Sequence, residues 1–443
     1  MIIEPRRIPR TEHPISRSQI SPGTLRTLYG LKDAGFEAFM VGGGVRDLLA
    51  GIEPKDFDVA TSAHPEQIKP LFRSCRLVGR RFVICHVRWA EEIVEVTTFR
   101  GPITDTHERD ETGRILADNQ YGTLVEDAFR RDFTINALYY DIRDYSIVDF
   151  AGGMEDLAAG VVRLIGEPEM RYREDPVRML RAIRIANKLK FRIDHASAEP
   201  MQRLAPLLAE IPAARLFEEV LKVLQSREGL ENFEGLRTHG LFAQLFPQVD
   251  VLLKYPRVLD FVRRALKSTA DRLRDELPVS PAFLYGALLW PPVAARVNEL
   301  ISRQGENPGV AMVQAADEVI ARAIMQVALP KRITLPMREI WAMQPRFADR
   351  KGGRAKRLLS HPRFRAAYDF LLLRVAVGEA PQELADWWTQ AQEGMEPALP
   401  DSADDGAEPG GDAPAGPRKR RRRGGRGRSR RAATPGAGPG HSG

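Results

Sequence analysis

Apolar residues alternate with polar ones over short stretches of the first 150 positions, then recur every three to four residues to about position 388. The first pattern predicts strands over 36–41, 55–60, 81–89 and 92–99, and a closing hairpin from 136–141 and 146–149. A helix over 21–34 and one opening at Pro65, with Ile68, Leu71 and Phe72 on its apolar side, lie between them. Residues 1–20 read as irregular, and 101–122, polar and without a period, as a mobile loop. From Asp156 the helical period takes over. Val177, Leu180, Ile183 and Leu189 form one stripe over 175–189, and 211–225 repeats the pattern. No repeat of fixed period is present, which argues against a solenoid.

The expected fold class is therefore α+β. A head with a small mixed β-sheet (21–155) would follow the N-terminal arm (1–20). A helical neck (156–230), a helical body (231–395) and a tail (396–443) would complete the chain.

Charge changes the picture only at the C-terminus. The chain of 443 residues carries a formal +7. Residues 418–431 hold ten cations and no acid, and 401–417 hold five acids and no base, so residues 1–400 carry only +2. Like-charge blocks rich in Gly and Pro cannot bury enough apolar surface to fold, so the tail is expected to be disordered. Its cations Arg418, Lys419, Arg420, Arg421, Arg422, Arg423, Arg426 and Arg428 suit a nucleic-acid arm that gains affinity by releasing counterions. Cys75 and Cys85 make no disulfide framework, and the longest apolar run, 282–290, is too short for a bilayer. A cytoplasmic protein is expected.

The chemistry starts at VGGGVRDLLAGIEPKDFDVAT, residues 41–61. Gly42, Gly43 and Gly44 lack the third glycine of a dinucleotide fingerprint, and no Gly-Lys-Ser/Thr follows. They would still let backbone approach a phosphate closely, with Arg46 adding charge. Asp56 and Asp58, placed in one strand, would project to the same face, with Phe57 turned into the core. Paired carboxylates repel unless solvated or sharing cations, and hard oxygen donors suit Mg²⁺ bound together with substrate phosphates.

The ordered set GGGVRD, DFD, RRDFTINAL and REDPVRMLRAIR resembles the class II nucleotidyltransferases, the CCA-adding enzymes and bacterial poly(A) polymerases, over residues 36–250. The resemblance implies template-independent nucleotide addition to RNA 3′ ends with two Mg²⁺ ions. It implies that Gly42 to Arg46 hold the incoming triphosphate and that Asp56 and Asp58 bind metal. Arg131 would contact nucleotide, with Asp132 supporting the active site. Asp175 and Arg178 would recognise the base, the carboxylate accepting from adenine N6 and the guanidinium donating to N1. By residue pattern alone Asp175 reads better as a helix cap ahead of Pro176. Arg181 and Arg184 continue the stripe and could meet phosphates. Asp132 is the first choice for a third catalytic carboxylate, and Glu95 in its alternating strand the second.

Which tail is written is less directly legible. The stretch LVGRRFVICHV, with Arg80-Arg81, and the region after Arg163 resemble the poly(A) type, and an arginine-rich arm suits gripping many unrelated RNAs. The expected function is addition of AMP from ATP, giving tails that promote RNA turnover. RNA 3′ ends are the expected partner, and RNA-decay proteins could be further ones. CCA addition to tRNA and an inactive RNA-binding homologue are the alternatives.

Overall fold

The computed structural model describes residues 4–79, 82–102 and 120–393. Residues Met1–Met395 form one compact unit. The expected tail, its arginine-rich arm, Arg80-Arg81 and most of the expected 101–122 loop lie outside the described residues.

The head is built on one eight-stranded sheet. Its strands are β1 (Arg6–Ile8), β2 (Ala38–Val41), β3 (Asp58–Thr61), β4 (Cys75–Val78), β5 (Ile84–Trp89), β6 (Glu92–Thr98), β7 (Leu138–Asp141) and β8 (Ile147–Asp149). They lie in the order β1-β8-β7-β2-β3-β6-β5-β4, antiparallel except for the parallel pair β3 and β6. All four residues of β2 are buried because both faces of the sheet are covered. Met40, Val59, Leu138 and Tyr140 face the cluster that includes Leu28 and Leu31 of α1 (Pro22–Asp33). Phe39, Val41, Ala60 and Tyr139 face a second cluster with Phe99 and Ala128.

Three local expectations are corrected here. Residues 6–8 of the presumed irregular arm pair with β8, because Ile8 is buried in the head core. β4 was missed; only Cys75 of its four residues is shielded, so the alternation that marks a half-buried strand is weak. Most consequentially, β3 starts at Asp58, and Asp56 lies in the turn before it. The two carboxylates therefore do not share a strand face as i and i+2.

Two short helices flank the strand ends: α2 (Gly43–Leu49) follows β2 directly, and α3 (Pro65–Leu71) follows β3. A further one, α4 (Leu124–Arg130), is capped by Thr123, with Glu126 reaching back to close a capping box. After α5 (Gly153–Ala158) and α6 (Pro168–Glu174) comes α7 (Val177–Leu189), whose apolar stripe is buried as predicted. Its core is continuous with that of helices Ala213–Leu224, Gly229–Thr238, Pro256–Arg274, Pro281–Gln304 and Pro308–Gln326. A separate cluster around Phe347, Phe364 and Trp388 holds the last helices together. Among the described residues no helix is long and apolar enough to cross a membrane.

Candidate active site

The site grows from one row across the sheet. Tyr139, Val41, Asp58, Glu95, His86 and Arg76 are register partners in five successive pairings from β7 to β4. Residues paired this way share a face, so Asp58 and Glu95 stand side by side on neighbouring strands. Asp58 is partly buried and Glu95 exposed, with the His86 Nε2 at 3.6 Å from the Glu95 carboxylate. Burial, then the charge of Glu95, pushes the Asp58 carboxyl up to about 6, and Asp56 adds to the push against Arg131 and Arg181.

The turn after β2 closes over this row. Gly42 sits at φ +75°, and a Cβ there would stand 3.7 Å from the Asp58 carboxylate and 3.6 Å from Arg131 Nη1. A Cβ on Gly44 would press on the Phe57 ring at 3.0 Å and the Asp56 carbonyl oxygen at 3.3 Å. Glycine is thus required for the turn to approach the Asp56–Asp58 segment. Phe57 packs against the head core, as expected.

Arg131 is held rigidly beneath the turn. Its Nε and Nη2 donate to Asp127 at 3.1 and 2.9 Å, and Nε also donates to the Tyr139 hydroxyl. Asp127 is 1 % exposed and additionally accepts from the Tyr139 hydroxyl at 2.6 Å and from the backbone and side chain of Arg100. Burial alone would raise the Asp127 carboxyl, but Arg131, Arg100 and Tyr139 hold it well below the usual carboxylate range. The guanidinium is left with Nη1 facing Gly42.

Asp132 connects head to neck. Its Oδ2 takes both arms of Arg181, at 2.8 Å from Nε and 2.6 Å from Nη2, and its Oδ1 accepts from Asn136 Nδ2 and the Phe133 N–H. Its carboxyl, despite burial, is held low by Arg181, Asn136 and Arg178. Asn136 in turn accepts from Arg46 Nη1 at 2.7 Å, and the rest of that guanidinium is bound by Asp47. Lys188 at the far end of α7 donates to the other oxygen of Asp47 at 2.6 Å. Arg46 thus spends one N–H from each of its three nitrogens inside the protein, bracing the glycine turn against the neck, while Nη2 stands 3.6 Å from where a Cβ on Gly43 would be.

Asp175 and Arg178 lie close to the start of α7 but are not bonded to each other. Asp175 precedes the helix, its Oδ1 only 3.4 Å from the Val177 N–H, while its Oδ2 accepts from Arg215 Nη2 at 2.7 Å. Arg178 Nη1 donates to Glu174 and to the Arg171 carbonyl oxygen. Along α7 the cations Arg178, Arg181 and Lys188 are matched by Glu174, Asp132 and Asp47. Arg184 differs: its buried Nε has no partner, and burial, then Arg181, lowers its basicity.

Sequence reading missed Asp127, Tyr139, Asp47, Asn136, Glu174, Lys188 and Arg215. Glu174, Asp47 and Asn136 stand inside the quoted motifs REDPVRMLRAIR, GGGVRD and RRDFTINAL, which was the signal available for them; the others act only through folding. Among the described residues no group of three or more His, Cys, Asp or Glu could cage a metal ion. An anionic pair short of donors, beside a glycine turn, instead fits a divalent cation that also binds substrate phosphates.

Three family profiles match in succession. They are the poly A polymerase head domain over residues 38–163, a probable RNA and SrmB-binding site of polymerase A over 190–253, and the polymerase A arginine-rich C-terminus over 304–427. Poly(A) polymerase I of Salmonella typhi is 48% identical over 401 residues, spanning 88% of this chain and 86% of that protein. A CCA-adding enzyme of Lactobacillus helveticus is 40% identical over 196 residues, 44% of this chain. The Bacillus stearothermophilus CCA-adding enzyme in complex with CTP superposes with a TM-score of 0.54 at 26% identity, over 84% of this chain and 83% of that one. Near-full-length similarity to the first, against partial similarity to the second, places the protein: it belongs to the poly(A) polymerase I family and has the fold of the CCA-adding enzymes.

Proposed function

We infer that this chain adds AMP from ATP to RNA 3′ ends without a template. The terminal 3′ oxygen attacks the α-phosphorus, its bond to the bridging oxygen breaks, pyrophosphate leaves, and the hydroxyl proton passes to solvent. Asp56 and Asp58 would hold two Mg²⁺ ions, which activate the hydroxyl and stabilise the leaving pyrophosphate. Glu95, beside Asp58 in register, is the better third carboxylate than Asp132, whose oxygens are spent on Arg181, Asn136 and the Phe133 N–H. Gly42 to Gly44 admit the triphosphate to the backbone, and Arg131 offers it a fixed Nη1. Arg46 and Asp132 hold that turn and the neck in place with Arg181, while Arg184 supplies positive charge along α7. Asp175 and Arg178 read the base edge, and these tails promote RNA turnover.

The observation that carries this reading is the Asp58–Glu95 register pair under the Gly42 turn, with Arg131 fixed beside it. Incubating the protein with a generic RNA, Mg²⁺ and each nucleoside triphosphate separately tests it. Long ladders with ATP alone are expected. Short products that require CTP would point to tRNA completion, and no product at all to a binding protein.

Selectivity has its own test. Arg215 fixes Asp175, so Arg215→Ala is expected to raise the KM for ATP and to narrow the preference for ATP over CTP about tenfold, with little change in RNA affinity. Parallel steady-state kinetics with the two nucleotides measure this. Unchanged preference would detach Arg215 from base reading.

A further inference from the structure

A second basic surface lies in the folded body, hidden in the charge count by the tail. Residues 346–357 hold six arginines and lysines against one acid, Asp349, a net +5. Residues 1–400 carry +2 in all, so the rest of that span sums to −3. These twelve positions are therefore far more basic than the average of residues 1–400.

The local fold explains how. Residues Pro345–Ala348 form a 3-10 turn and Gly352–Leu359 a helix. Phe347, Ala355 and Leu358 are buried against Met343, Phe364 and Trp388. That anchoring turns Arg346, Arg350, Lys351, Arg354, Lys356 and Arg357 outward, and all six are exposed. Arg346, Arg354 and Arg357 line a cleft of about 250 Å³ with Asp349 and Leu358. The counter-charge there is weak: Arg354 stands 3.5 Å from Asp349 with both side chains largely in solvent. Arg357 Nε donates to the Gly353 carbonyl, which orients the guanidinium.

Three guanidiniums around one hollow suit phosphate oxygens, which accept from both arms of each fork. Among the described residues no aromatic or amide side chain lines the cleft, so they offer nothing there to stack on or read a base. We propose that this cleft is a phosphate subsite for the RNA strand upstream of its 3′ end, acting independently of the 418–431 arm. It rests on the reading of the active site above. It would keep a growing RNA on the enzyme between additions.

The test uses the full-length protein with Arg354→Gln and Arg357→Gln together, a deletion of 418–431, and both combined. Affinity for a long oligo(A) is measured across a salt series, and AMP incorporation is measured on a short oligo(A). Loss of two phosphate contacts should flatten the slope of log K against log salt by about 1.4 and weaken binding roughly tenfold. Incorporation on the short primer should not change. Deleting the arm should flatten the slope further and additively, and Arg→Lys at both positions should restore it. Unchanged slope in a double-Gln variant of wild-type melting temperature overturns the subsite, as does equal loss on the short primer. Lost binding of an acidic peptide with RNA binding intact also overturns it, in favour of a protein partner. A flattened slope in a protein that adds no nucleotide to any RNA keeps the subsite and overturns the reading of the active site.

Discussion

Asp58→Asn is expected to lower AMP incorporation by on the order of a thousandfold or more, while RNA affinity stays within about twofold of wild type. The variant keeps the shape of the side chain and removes a charged oxygen where a divalent ion would sit. The same change should stabilise the metal-free protein. In the native state the Asp58 carboxyl is pushed up to about 6 from 3.8, because it is partly buried beside Glu95. Between those values the native protein holds a proton that the unfolded chain has released. Stability therefore falls as pH rises through that window, and the loss is complete above about pH 6. The shift corresponds to on the order of 3 kcal/mol.

At pH 8 without divalent metal, Asp58→Asn should accordingly melt higher than wild type, and the difference should close as pH falls toward 4. Adding Mg²⁺ should stabilise the wild type and leave the variant unmoved. Thermal melts at the two pH values, with and without the ion, measure this directly. Equal incorporation by variant and wild type would refute the role given to Asp58. A variant that melts lower at pH 8 would refute the electrostatic account.

Asp127→Ala is expected to cost on the order of 3–5 kcal/mol of stability and to disable incorporation as well. Asp127 is 1 % exposed and receives Arg131, Arg100 and the Tyr139 hydroxyl together. Its removal deprives the buried Arg131 guanidinium of the carboxylate that holds it by two hydrogen bonds. Tyr139→Phe removes one hydrogen bond from the same cluster and should cost only about 1–2 kcal/mol. Denaturant unfolding of the two variants gives the comparison. If Asp127→Ala lies within about 1 kcal/mol of wild type, Arg131 is not held as the hydrogen bonds indicate.

The sign of the Asp127 shift has a practical consequence. Its carboxyl is held low in the native state, so the stability it confers is present at neutral pH and is lost only in strong acid. Asp58 and Asp127 thus titrate in opposite senses within one site. The first is destabilised by its surroundings and suited to receive a cation; the second already has its cations.

Much of this arrangement was legible in the linear chain because its parts are local. Apolar period set the helices from Asp156 onward, and the stripe Val177, Leu180, Ile183 and Leu189 is buried in α7. The motif GGGVRD marked a turn because Gly42 needs a positive φ, and DFD marked the carboxylates because Phe57 must face inward. Asp56 was misplaced by the assumption that the strand began before it; the pattern of polar residues does not mark where backbone pairing starts. The internal partners of Arg46 and Asp132 were not legible, since Asn136 and Arg181 lie 90 and 49 positions away.

What the chain determined alone was therefore the element types, the order of motifs and the uneven distribution of charge. These depend on neighbours within a few residues. Tertiary structure decided where each charge is engaged: Asp132 on Arg181 and Asn136, Arg46 on Asp47 and Asn136, and Arg131 on Asp127 with its Nη1 toward Gly42. It also decided that Glu95 faces Asp58 and that three cations of 346–357, Arg346, Arg354 and Arg357, converge on one hollow. An ionic group's partner is set by distance in space, which falls off with no relation to separation along the chain.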